Sequence, residues 1–255
     1  MNTAIAIGNP SEAARHRLLA CRGEPLFYTN WDRALFIHYE TNPQILQQGV
    51  PYHLDLYDGR AFVSLVAFTM RAMRPRFGGR MAEWMVKPIA THHFLNVRTY
   101  VVHKGEPGIY FMAEWLSNRV AALLGPWTFG LPYRFGHLHY THNHEADELC
   151  GHVAATHGQL SYHGAVENDN FATCEPGSLT DFLLERYTAF TKHGGRRRFF
   201  RVWHEPWQQV AVEINMTADD LIGTTGNWWR NARCIGANYS PGVNVWMGWP
   251  HRLTS

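Results

Sequence analysis

The chain has 255 residues, 45% apolar and 14% aromatic, enough for a sizeable packed core and too apolar for a disordered segment. Its 23 Lys and Arg against 21 Asp and Glu leave a net charge of +2, which excludes a basic nucleic-acid surface. Cys21, Cys150, Cys174 and Cys234 lack CxxC spacing, so neither a zinc knuckle nor a disulfide framework is signalled.

Residues 1–30 read as an N-terminal helix and lead-in, and 31–255 as one domain. The start shows no basic region followed by an apolar run, and no stretch reaches the length of a membrane span. The expectation is a soluble, cytoplasmic protein. An amphipathic helix is predicted over 11–21, with Leu18 and Leu19 on its apolar side, then a strand over 34–39. Asn42 before Pro43 starts a helix that Gly49 ends. Asp58-Gly59 between 52–57 and 60–71 is a hairpin signal. The second arm is apolar at both parities (Phe62, Val63, Leu65, Val66, Phe68), so both of its faces should be covered. Residues 75–88 read as a loop or flap.

The stretch 96–135 organises the rest. Residues 96–101 alternate polar and apolar, a strand period. Residues 104–108 are a turn and 109–112 a returning strand, followed by a helix over 118–124 capped by Ser117 and stopped by Gly125 and Pro126. Further strands are predicted near 134–141, 151–157 and 159–166. Ser178 caps a helix through Phe190 that Gly194-Gly195 closes. Residues 199–204 and 207–214 read as a hairpin-like pair, and 242–249 as the last strand. Arg196-Arg197-Arg198 is the sole basic run, read as a solvated strand start. The class is α+β, strand-dominated, mostly antiparallel, with three or four helices. Asn96 and Arg98, at i and i+2, share a face. Inside a closed sheet that arginine needs an anionic or strongly polar partner.

The chain resembles the conserved, uncharacterised YqjF-like family, a branch of the acetoacetate-decarboxylase-like superfamily. The matching residues begin at Trp31, Phe36 and His38, pass through Asp58-Gly59, and include Asn96-Val97-Arg98-Thr99-Tyr100-Val101. They continue with Pro107-Gly108-Ile109-Tyr110-Phe111, Leu131-Pro132-Tyr133, Pro176-Gly177-Ser178-Leu179, Glu185-Arg186-Tyr187, His204 and Pro206-Trp207. The resemblance implies a closed, curved antiparallel sheet, an acetoacetate-decarboxylase-like barrel, around a central cavity. In the superfamily's decarboxylases a Gly-aromatic-Pro-Lys-Lys corner supplies a Schiff-base lysine with a depressed pKa. Here the corner is Gly130-Leu131-Pro132-Tyr133-Arg134. A phenol forms no imine and a guanidinium stays protonated. A second departure is Phe94, which stands where the family pattern carries a glutamate.

Three readings follow. The first is a small-molecule pocket protein for a carboxylate- or carbonyl-bearing ligand, as a lyase- or isomerase-type enzyme without an imine. In it Arg98 and Arg134 stabilise a carboxylate or enolate, and Tyr133 donates a hydrogen bond or a proton. Asn96, Tyr100, His38 and Tyr110 contact the substrate. The second is a non-catalytic binding or sensor module. The third is a metal-dependent enzyme using His137, His139 and His152, the last brought near His139 across a hairpin. His38 and His204 also have plain structural readings, as a satisfied core group and a turn-orienting group. Among the lysines, Lys87 is the one that could swing inward; Lys104 and Lys192 sit in turns. No cofactor is implied. The partner is a small molecule, with no nucleic acid and no membrane, and a homo-oligomer is left open.

Overall fold

Three strands of fifteen residues set the scale: β1 (Phe27–Thr41), β3 (Ala61–Pro75) and the next to last strand of the chain, Arg233–Met247. The structure, a computed structural model, describes residues 10–253; residues 1–9 of the expected lead-in and residues 254–255 lie outside it. Ahead of β1 runs α1 (Pro10–Leu19), and α2 (Pro43–Gly49) and β2 (His53–Leu54) precede β3. After it come α3 (Gly79–Val86), β4 (His92–His103), β5 (Glu106–Leu116), α4 (Arg119–Thr128) and β6 (Tyr133–Phe135). Next are β7 (His137–Asn143), β8 (Glu148–Ala155), β9 (Gly158–Ala165), α5 (Leu179–Leu184), β10 (Thr188–His193) and β11 (Arg196–His204). The chain finishes with β12 (Val210–Ala218), α6 (Asp220–Gly223), β13 (Arg233–Met247) and β14 (His251–Arg252).

Seven strands follow one another in hydrogen-bonded order, β11-β10-β5-β4-β3-β1-β13, and β13 pairs back to β11 through Val202 opposite Met247. The sheet therefore closes on itself as a ring. Its weakest seam is β5 against β10, parallel and held by two residue pairs, Ala189 with Ile109 and Phe190 with Tyr110. From β13 the sheet continues through β12, β9, β8 and β7, which cover the outer face of the ring. The double apolar parity of β3 is explained by this arrangement. Val63, Leu65 and Ala67 pack outward with Leu149, Val153 and Leu160, whereas Phe62, Val66 and Phe68 point inward with Phe94, Phe111 and Trp207. The closed, curved sheet stands as predicted, and two of its details change. Pairings β5–β10 and β5–β6 are parallel, so the sheet is mixed. Six α-helices, several of one or two turns, are found among the described residues.

Local differences have local causes. The helix starting after Ser178 stops at Leu184, and residues 188–193 become β10 instead. Thr188, Phe190 and Thr191 favour a strand, and Gly194-Gly195, at φ 56° and 79°, form the turn to β11 rather than a helix end. The segment 75–88 contains α3. Asn118, not Ser117, caps α4, because the Ser117 hydroxyl already accepts the His93 N–H at 3.1 Å. Strands β11 and β12 do not pair; β12 joins β9 and β13. Helix α1 docks on the ring through the Ser11 hydroxyl, which donates to the His204 carbonyl at 2.7 Å, and through the fully buried Leu18.

Candidate functional site

The site is laid out by β4 and its neighbours. Asn96 and Arg98 face the hollow of the ring, and Val97 between them packs into the outer core. On β5, Glu114 lies opposite Asn96 and Phe111 opposite Arg98, leaving Met112 without a partner. Residues three apart face opposite sides of a regular strand. The bulge at Met112 restores the phase, so Phe111 and Glu114 both turn inward. Strand β6 runs parallel to β5 with Tyr133 opposite Glu114. Asn96, Glu114 and Tyr133 thus form a row across three strands, with Arg98 one inward-facing step along β4. Helix α4 crosses so near that a Cβ at Gly125 would overlap the Tyr133 ring. Only glycine permits that approach.

The cavity behind this row leaves about 40 Å³ free to the centres of water-sized molecules. Its polar walls are underused. Asn96 Oδ1, Arg98 Nε and Glu114 Oε2 are buried with no hydrogen-bond partner. Among the described residues, Arg98 forms no ion pair; one of its terminal nitrogens donates to the Leu183 carbonyl at 3.0 Å, and it lies 5.5 Å over the Phe36 ring. Arg186, also on the cavity wall, is held by Asp55 at 2.7 Å. The Glu185 carboxylate acts on Arg98 only through space, and a buried guanidinium without a direct ion pair is costly unless something anionic completes it.

Electrostatics at the other end are opposite in sense. Burial holds the Glu114 carboxyl well above the usual carboxylate range, which favours its protonated form. Burial, and then the Glu114 carboxylate, push the Tyr133 phenol up. The hollow therefore offers a cation on β4 and, on β5 opposite Asn96, a carboxyl whose protonated form burial favours.

Behind Arg98 lies a fully bonded relay. Tyr100 and Ser64 hydroxyls are 2.6 Å apart, Ser64 Oγ is 2.7 Å from His38 Nδ1, and His38 Nε2 is 3.1 Å from Asn238 Oδ1. The Asn oxygen only accepts, so Nε2 carries the hydrogen and Nδ1 accepts from Ser64. Burial first, and the Arg98 charge second, lower His38 to about 3. His38 and Tyr100 stand behind Arg98 rather than on the cavity wall, and Tyr110 packs on the outer core.

Arg134 does not converge with Arg98. Adjacent residues on a strand face opposite sides, so with Tyr133 inward Arg134 is exposed, 5.2 Å over the Trp115 ring, in a different cleft. His139 and His152 are cross-strand partners as expected, but His137 pairs with Ala154 and all three are exposed. Among the described residues no group of three or more His, Cys, Asp or Glu is placed to hold a metal ion, so the metal-enzyme reading gains no support from the geometry. Lys87, Lys104 and Lys192 are exposed, and none lines the hollow.

Sequence reasoning missed Glu114, Arg186 and His204 as cavity residues. His204 lines the hollow with Nδ1–H donating to the Glu205 carbonyl at 2.8 Å. A signal for Glu114 existed: it is the sole charge in the apolar run 109–116. Its carboxyl enters the hollow from β5 while Phe94 occupies the β4 position that the family pattern gives to glutamate.

The ring with its covering layer is the fold of acetoacetate-decarboxylase-like enzymes. An acetoacetate decarboxylase-like enzyme from Sphingomonas wittichii RW1 matches with TM-score 0.64 at 14% identity, over 91% of this chain and 94% of its own. The enduracididine biosynthesis enzyme MppR with HEPES bound matches with TM-score 0.62 at 14% identity, over 90% and 88%. Acetoacetate decarboxylase from Legionella pneumophila matches with TM-score 0.59 at 12% identity, over 89% and 87%. Within that fold class the chain belongs to the DUF2071 family, described as "Uncharacterized conserved protein", whose model matches residues 28–244. It is 30% identical over 201 residues to the "Uncharacterized protein YqjF" of Bacillus subtilis (strain 168), covering 76% of this chain and 81% of that one.

Proposed function

We propose that the protein is a lyase- or isomerase-type enzyme acting on a small carboxylate-bearing carbonyl compound without forming an imine. The observation that carries this reading is the set of buried, unpartnered polar atoms on Arg98, Asn96 and Glu114, all facing one hollow. Arg98 supplies the charge against which the carboxylate binds. Glu114, whose protonated form burial favours, gives its hydrogen to the carbonyl oxygen as negative charge develops there. Tyr133 sits beside it as a second donor. Arg134, on the outer side of β6, has no part in this version. The absence of lysine from the wall supports the non-covalent route.

Calorimetry with pyruvate and acetoacetate, paired with proton NMR of the same mixtures, tests the reading. Binding that Arg98→Met abolishes, together with turnover that Glu114→Gln abolishes, is the expected result. Trapping of a lysine adduct by borohydride would overturn it. The second reading, a non-catalytic binding module, draws on the bond that ties Arg98 to the Leu183 carbonyl at the end of α5. It predicts the same Arg98-dependent binding with no turnover.

A further inference from the structure

The hollow does not end at Tyr133. A second chamber, of about 220 Å³ on the same measure, lies beyond it, and the two share Met70, Phe94, Tyr133 and Met247 as common walls. The outer chamber is lined by Phe27, Met73, Ile89, Leu124 and Phe129, from the ring, the turn after α3, and α4 with the residue that follows it. Among the polar side chains of this lining, which include Thr128 and Tyr133, His92 stands out. It is buried, and neither ring nitrogen makes a close hydrogen bond although the Ile89 backbone interacts with the ring. Burial lowers it to about 4, so it is a neutral imidazole. Strand β4 joins the chambers. His92 and Phe94 line the outer one, and Phe94, Asn96 and Arg98 the inner one, four side chains on one strand face.

Resting on the carboxylate-binding reading above, we infer that the preferred substrate is an elongated acid of which pyruvate and acetoacetate reproduce only the head group. Its carboxylate meets Arg98, its apolar body runs past Phe94 and Tyr133, and a hydroxyl or carbonyl at its far end meets His92. The inner hollow is narrow, and the larger, mainly apolar chamber that shares its Phe94 and Tyr133 wall has no role for a substrate that ends at Glu114. A neutral imidazole both accepts and donates, which suits a hydroxyl and not a second charge.

The test uses the intact protein and straight-chain acids as probes, with dissociation constants by calorimetry for butanoate, hexanoate, octanoate and 8-hydroxyoctanoate. Affinity should rise about fourfold per added methylene until the chamber is filled, the ~0.8 kcal/mol of a buried methylene. The 8-hydroxy acid should bind about two- to tenfold tighter than octanoate, the range of one net hydrogen bond, and His92→Leu should remove that advantage. Leu124→Asp, a change at a half-exposed position, should lower octanoate affinity toward that of butanoate. Short acids that bind through Arg98 with no gain in chain length would overturn this inference and leave the carboxylate site standing. No binding by any acid would overturn both. A length dependence without a hydroxyl effect would remove His92 from the assignment.

Discussion

Two buried polar regions of the molecule make a controlled contrast. In the outer layer His142 is almost fully buried, yet both its nitrogens are used: Nδ1–H donates to the Arg33 carbonyl at 2.7 Å, and Nε2 accepts from the Tyr162 hydroxyl at 2.7 Å. Inside the ring Asn96, Arg98 and Glu114 are buried just as deeply, and each keeps a polar atom without a partner. Open polar atoms also occur elsewhere, on Glu24, His103 and Arg201, but in the hollow three of them face one cavity. The contrast separates polar groups that hold the fold from polar groups whose open valences the proposed ligand would fill.

The sharpest way to break the contrast is Arg98→Met. Loss of carboxylate binding by at least about 30-fold is expected, since truncating one partner of a buried charge pair costs ~2–5 kcal/mol. Thermal stability should be unchanged or higher because an uncompensated charge is removed. A fall in stability with binding intact would return Arg98 to a structural role. His142→Phe should do the opposite. It leaves the Arg33 carbonyl and the Tyr162 hydroxyl unpaired at a cost of ~1–3 kcal/mol in denaturant unfolding, with ligand affinity unaltered.

Glu114→Gln comes next and reads through pH. The folded-state pKa is raised, so the unfolded chain loses this proton first as pH rises. Stability from this group is full below the unfolded carboxylate value and is lost as pH climbs toward the folded one. The variant should therefore match the wild type near pH 4 and exceed it near pH 8. Equal curves at both would mean that the carboxyl is ionised and solvated. Arg134→Ala is the smallest perturbation. An exposed guanidinium over Trp115 contributes ~0.5–1 kcal/mol, and binding should not change.

How far the site could be read from the chain depended on strand regularity. The inward face of β4 was legible because Asn96, Val97 and Arg98 alternate without interruption. The tight turn at Asp58-Gly59 was legible from its chemistry, but its first arm was not a partner of β3: His53 and Leu54 pair with β4, and a single bridge from Tyr57 to Arg60 spans the turn. The doubly covered β3 was legible because it is apolar at both parities. Arg134 was misplaced although the period-2 rule was at hand: it cannot share a side with Tyr133. Glu114 was hidden because a bulge has no sequence signature beyond its effect on phase. The helix expected to reach Phe190 failed because Leu179, Phe182 and Leu183 fit a helical stripe, whereas the residues after Arg186 gain more from pairing with β11.

The unpaired Met112 has a counterintuitive consequence for how this strand tolerates change. It is the surplus residue, so Phe111, Ala113 and Glu114 already alternate once it is left out of the count. Excising it would smooth the strand and leave the carboxyl pointing into the hollow. Forcing the full-length segment into a regular ladder would rotate Glu114 outward and offer a methyl group in its place. At this position chain length governs the chemistry of the interior more strongly than the identity of the residue that sets it.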